Sequence, residues 1–137
     1  MNFWDGTRSR TEENKHTKNE VTMAVFKNAD ISFDEVHMDG VNNVRKANVI
    51  GPGQGWRGHT LRVFCLRPEG FTPHHQHDWE HVNYVMKGQG TLTIGDETHE
   101  LTEGDFAFVP PSIDHQFRNP YDEEFEFICI VPERGAY

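Results

Sequence analysis

The sequence predicts an all-β domain, a barrel or sandwich, on three observations. From Val44 onward, short apolar runs alternate with turn-forming stretches. Twelve Gly and seven Pro in 137 residues supply the turns, and ten Phe supply bulk for a β core. No convincing long helix pattern and no solenoid-type repeat is present.

Residues 1–20 mix Arg8, Arg10, Glu12, Glu13, Lys15 and Lys18. They read as a frayed arm or short surface helix, partly disordered in a free monomer or laid across a partner in a dimer. Residues 21–26 read as a strand or an arm that pairs at an edge. The chain therefore divides into an extended N-terminal arm, 1–40, and a barrel domain, 41–137.

Residues 44–50 form the first expected barrel strand. Gly51-Pro52-Gly53-Gln54-Gly55 is a loop; its three glycines are a weak phosphate signal because no helix pattern follows. Residues 60–67 are a strand closed by Pro68-Glu69-Gly70, and 82–86 a strand ending at Lys87-Gly88-Gln89-Gly90. Residues 91–94 and 98–101 alternate around Gly95-Asp96, a tight hairpin that uses glycine's tolerance of positive φ. Residues 106–109 follow, and Pro110-Pro111 stops pairing for want of N–H donors. Residues 115–118 and 124–131 are the last strands.

Formal net charge is −9 with no basic cluster, which argues against nucleic acid or an anionic membrane as partner. No run of about 18 apolar residues is present, so no transmembrane helix is expected. The start, Met1-Asn2-Phe3-Trp4-Asp5-Gly6, lacks the order of a signal peptide, and the chain is read as cytoplasmic. Cys65 and Cys129 sit in apolar strand-like runs and are expected as buried, reduced thiols.

The chemistry concentrates in His75-Gln76-His77-Asp78-Trp79-Glu80-His81, with His115 downstream. Neutral imidazole suits iron, nickel, copper and zinc. His75 and His77 share parity, so one strand face carries both. A turn at Asp78-Trp79 returns the chain, and parity then admits either Glu80 or His81 to the same cluster. His115 starts a later strand and can face the same cavity. His74 has the wrong parity and reads as a rim residue; His16, His37, His59 and His99 read as solvated.

Gly70, His75, His77, His81 and Gly88 resemble the first motif of the cupin superfamily: glycine, His-x-His, a carboxylate a few residues on, then glycine. Gly104, Pro110, His115 and Asn119 resemble its second motif. The resemblance covers residues 44–131. The leading glycine is one residue too close to His75, and Ser112 stands where the second motif has glycine. His81 occupies the usual glutamate position, so the chain resembles the four-histidine branch of small single-domain cupins. The resemblance implies a jelly-roll barrel, a small double-stranded β-helix. It also implies metal ligands His75, His77, His81 and His115. Glu80 is left as a carboxylate beside the ligands.

Four neutral ligands would leave a divalent ion its full charge, favouring an anionic substrate, and can leave two adjacent coordination positions open. One divalent transition metal per chain is expected. The resemblance points to manganese or iron; nickel, copper and zinc stay open. Parity groups Phe127 with Cys129, and Arg62 with Phe64, as pocket candidates; an inward Arg62 would suit an anion. Trp79 and Tyr84 read as packing or interface groups.

The functional expectation is a metalloenzyme of dioxygenase or oxidoreductase type acting on a small organic acid or phenol. Isomerase or decarboxylase chemistry, a non-catalytic small-ligand binding protein and a structural metal are the alternatives. A homodimer is expected from the resemblance and from the need to cover strand edges.

Overall fold

The computed structural model describes residues 23–136. Among them run nine strands: β1 (Asp34–Glu35), β2 (Asn42–Ile50), β3 (His59–Phe71), β4 (His81–Lys87), β5 (Gln89–Ile94), β6 (Glu97–Thr102), β7 (Phe106–Val109), β8 (His115–Arg118) and β9 (Phe125–Pro132). They form one curled, antiparallel sheet in the order β6-β5-β8-β3-β9-β4-β7, with β2 on β3 and β1 on β2. This is the jelly-roll architecture that the sequence predicts. No helix among the described residues is long and apolar enough to cross a membrane.

The curl depends on β3. Its first part pairs with β9 and β2, while Phe71 at its far end pairs with Arg118 of β8. The expected stop at Pro68-Glu69-Gly70 is a bend within one long strand. Glu69 takes φ 70, and the register with β2 shifts between Val44 and Asn42. The Asn43 and Asn42 amides donate to the Pro68 and Glu69 carbonyls at 3.1 Å. A bulge thus replaces a break.

Alternation sets the core. On β9, Phe125, Phe127, Cys129 and Val131 point inward and are nearly fully buried. Their partners across β3, namely Leu66, Phe64, Arg62 and Thr60, share that face. Phe127 stacks between Phe117 at 4.2 Å and Phe64 at 5.6 Å. Cys65 is buried on the opposite face of β3 from Arg62, so the two free thiols lie on different sides of the sheet.

The turns follow their chemistry. Gly95 and Asp96 join β5 to β6 with Ile94 opposite Glu97, as expected. Gly88 alone turns β4 into β5, and Gln89 and Gly90 belong to β5. Ser112 keeps the left-handed conformation at φ 63, so a serine occupies a glycine-type turn. Of the segment expected to be a strand or arm at 21–26, residues 21 and 22 lie outside the described residues, and Met23 to Phe26 form no strand. Val36 and Val41 pack against the core.

Gly88 has φ 75, and a Cβ there would lie 2.1 Å from the Glu124 carbonyl oxygen. Gly88→Ala is expected to lower unfolding free energy by about 3 kcal/mol, because backbone must move. Ser112→Gly should raise it by about 1 kcal/mol by relieving the left-handed strain. Urea unfolding of the two variants measures both.

Candidate metal centre

Three short segments bring the histidines together. His81 is the first residue of β4 and His115 the first of β8. His75 lies in the connection before β4 and is held by a two-way backbone bridge to His115, 3.2 and 3.0 Å. His77 follows, its ring stacked on Trp79 at 4.3 Å and 3°. The ligand-capable atoms of His75, His77 and His115 lie within 4.8 Å of one another. His81 joins through its Nε2, 3.3 Å from the His115 Nε2.

The hydrogen bonds settle which ring nitrogen is bare. His77 Nδ1 lies 2.8 Å from the Trp79 carbonyl, and His115 Nδ1 lies 2.9 Å from the Ile113 carbonyl. A carbonyl only accepts, so each Nδ1 carries the proton. The Asn83 amide nitrogen donates to the Ile128 carbonyl at 3.2 Å, which leaves its oxygen to accept from His81 Nδ1 at 2.7 Å. In neutral rings the three Nε2 atoms are therefore lone pairs. Two of them face each other at 3.3 Å with no proton between. That is unfavourable for bare acceptors, but it fits neighbouring ligands of one ion, roughly 3.0–3.4 Å apart at metal–nitrogen distances of about 2.1 Å. The donor set fits a transition metal, and the Nδ1 bonds orient the rings for it.

Burial keeps the rings neutral. It pushes His75, His81 and His115 down to about 4, and lowers His77 as well. Neighbouring imidazoles add to the depression at His75 and His115, while the Nδ1 bond to Asn83 opposes it at His81. A ligand must be deprotonated to bind, so these rings are ready near neutrality.

The cluster opens into a cavity of about 90 Å³. That gives room for several waters or the reactive end of a small molecule. Arg62, Phe64, Phe127 and Cys129 all line it. Arg62 is 5% exposed, lies over the Phe64 ring at 4.9 Å, and donates to Cys129 Sγ at 3.3 Å. Burial pushes the Cys129 thiol up although Arg62 opposes that. Glu80 does not line the cavity; its charge acts on His81 from outside. His37, His59, His74 and His99 are exposed.

Three site residues escaped the sequence reading. Asn83 is 1% exposed and orients His81; its signal was shared parity two positions along β4. Trp79, expected as packing, also fixes the His77 ring. Lys46 on β2 lines the cavity, its ammonium weakened by burial and then by the Arg62 charge. Among the described lining residues there is no carboxylate. A second cluster, Cys65, Glu124 and Glu126, lies on the outer face, but the Arg45 guanidinium already interacts with all three.

A small jelly-roll barrel with converging imidazoles defines the class: a β-barrel protein with a histidine cluster of metal-binding type. The sequence matches the family model described as Cupin domain over residues 62–131, and the chain belongs to that family. It is similar to 1-methylthio-D-xylulose 5-phosphate methylsulfurylase of Rhodospirillum rubrum, 32% identical over 83 residues, 61% of this chain and 53% of that protein. It is similar to H2HPP isomerase of Bacillus subtilis, 35% identical over 57 residues, 41% of this chain and 24% of that protein. This chain thus spans about half or less of these relatives' lengths. Among solved structures, the polyketide cyclase RemF of Streptomyces resistomycificus superposes with a TM-score of 0.76 at 27% identity, covering 81% of this chain and 80% of that one.

The depressed rings carry a pH consequence. The ordinary imidazole value is 6.5 and the folded value of three rings is about 4. As pH falls from 6.5 towards 4, the unfolded chain takes up protons that the folded chain refuses, so stability falls. Metal-free protein in chelator should show this loss in thermal unfolding across that window, and His115→Gln should shrink it. Parallel wild-type and variant curves would contradict the neutral-ring assignment.

Proposed function

We propose that the protein is a metal-dependent enzyme acting on a small organic acid or phenol, with His75, His77, His81 and His115 as ligands of one divalent transition metal. The observation that carries this reading is the convergence of tautomer-fixed Nε2 lone pairs on a cavity lined by two cationic side chains and no carboxylate among its described lining residues. Bound there, manganese or iron would supply Lewis acidity and redox chemistry towards O2.

The chain's own residues do the selecting. Arg62 and Lys46 stand in the wall of the same cavity and attract an anionic head. Val36, Val41, Phe117 and Phe127 offer apolar walls that exclude water and strengthen those charge contacts. Asn83, Trp79 and the Ile113 carbonyl hold the rings, so binding needs little rearrangement.

A non-oxidative reading, isomerisation or cyclisation, has its own support. Lys46 stands in the cavity wall as a basic side chain, its ammonium weakened by burial and by Arg62. The similar proteins include one named an isomerase and one named a polyketide cyclase. Turnover of a small acid or phenol without O2 uptake selects this reading; turnover coupled to O2 uptake selects the oxygenase.

Elemental mass spectrometry of tag-free protein should find near one metal per chain. His81→Ala should cut it sharply and Glu80→Ala should leave it; equal loss in both would defeat the ligand assignment. Arg62→Met should keep the metal but raise KM for an anionic substrate tenfold or more, since a charged hydrogen bond contributes about 1.5–3 kcal/mol. An unchanged KM would remove Arg62 from substrate binding.

A further inference from the structure

The residue that steadies His77 is itself held by a distant part of the chain. Trp79 stacks its indole on the His77 ring and offers its carbonyl to His77 Nδ1. Residues 72–80 lie between β3 and β4 and form no strand. Among the described residues, the backbone–backbone hydrogen bonds of that connection stop at the His77 carbonyl, which accepts from the Ser112 N–H at 2.6 Å. Backbone pairing therefore does not fix Asp78 and Trp79.

What meets them is the turn after β9, a one-turn 3-10 helix at Glu133–Gly135. Arg134 donates to the Asp78 carbonyl at 3.3 Å, pairs with the Asp78 carboxylate at 3.5 Å, and sets its guanidinium 5.9 Å from the centre of the Trp79 ring. Gly135 is buried against the indole: a Cβ there would stand 2.5 Å from Nε1, 2.7 Å from Cε2 and 2.8 Å from Cδ1. Near-equal distances to three ring atoms put that position over the ring rather than at its edge. Only glycine permits so close an approach. The turn is anchored on its other side. The Glu133 N–H donates to the Gly58 carbonyl at 2.8 Å, and the Glu133 carboxylate accepts from the Gly58 N–H at 3.0 Å. Ala136 packs against the core.

We infer that the turn Glu133–Gly135 is a positioning element for His77 and acts through Trp79. The inference rests on the reading of His77 as a metal ligand. Neither Arg134 nor Gly135 lines the cavity, so both reach the cluster only through Asp78 and Trp79. The parallel stack, within 3°, sets the plane of the His77 ring, and the Trp79 carbonyl sets its rotation within that plane. A turn that holds Trp79 thus holds the direction of the His77 Nε2 lone pair. Groups that orient a ligand in this way typically contribute about 10–100-fold in metal affinity. The coupling runs both ways, so a metal at His77 steadies the turn in return.

Co2+ titrated into the full chain against a competing chelator tests this. Gly135→Ala should weaken binding about tenfold or more, with the metal-free fold checked by thermal unfolding. In a His77→Ala background the same substitution should change nothing, because the ring it acts on is gone. Trp79→Leu should repeat the loss, and Trp79→Phe, which keeps a ring that can stack, should recover most of it. That pair carries the test even where Gly135→Ala does not fold. Wild-type protein that takes up no Co2+ would overturn the metal reading and this inference together. Wild-type binding that Gly135→Ala and Trp79→Leu both keep would overturn the inference alone. So would an equal loss in the His77→Ala background, which marks general damage to the barrel.

Discussion

Two imidazole nitrogens that both carry lone pairs face each other 3.3 Å apart inside a barrel, and the local structure is arranged to hold them there. Each Nδ1 proton is committed elsewhere, to the Ile113 carbonyl at His115 and to the Asn83 oxygen at His81. Neither ring can turn to relieve the other without leaving a buried donor or acceptor unsatisfied, which costs about 1–3 kcal/mol each. On the proposed metal-binding reading, a cation between them would turn that cost into binding energy, and the hydrogen bonds on the far side of the rings would organise the cluster in advance.

Strand geometry delivers the rings to that point. β4 and β8 both begin with a histidine, and a side chain at a strand's first residue is aimed by the pleat. The backbone bridge between His75 and His115 ties the third segment to the second. β3 then matters at a distance: its bend at Glu69 lets one strand meet β9 at one end and β8 at the other. The same bend that curves the sheet thus sets β8, which carries His115, beside the end of β3.

The cavity's electrostatics follow from the same inward face. Arg62 shares its register pair with Cys129, and Lys46 with Phe64, so two cations point where the four rings point. Desolvation discourages protons on the rings and weakens the Lys46 ammonium. The cavity thus sets two basic side chains against apolar walls, Phe64, Phe117 and Phe127 among them.

Much of this was legible in the chain. Period-two alternation and turn residues determined the strands of the barrel, because a half-buried strand must alternate. Spaced histidines and glycines marked the cluster, although His75 and His77 lie in the connection before β4 and not on one strand face as parity had suggested. Parity also placed Phe127 and Cys129 on one face. The tertiary structure alone decided that Pro68-Glu69-Gly70 bends rather than ends β3, because the Asn42 and Asn43 amides that support the bend come from β2. It alone brought Lys46 beside Arg62, whereas Asn83, two positions from His81 on β4, was within reach of parity. Hydrogen bonds and burial of that kind depend on which strand lies opposite, and register between distant strands is not written in any local stretch.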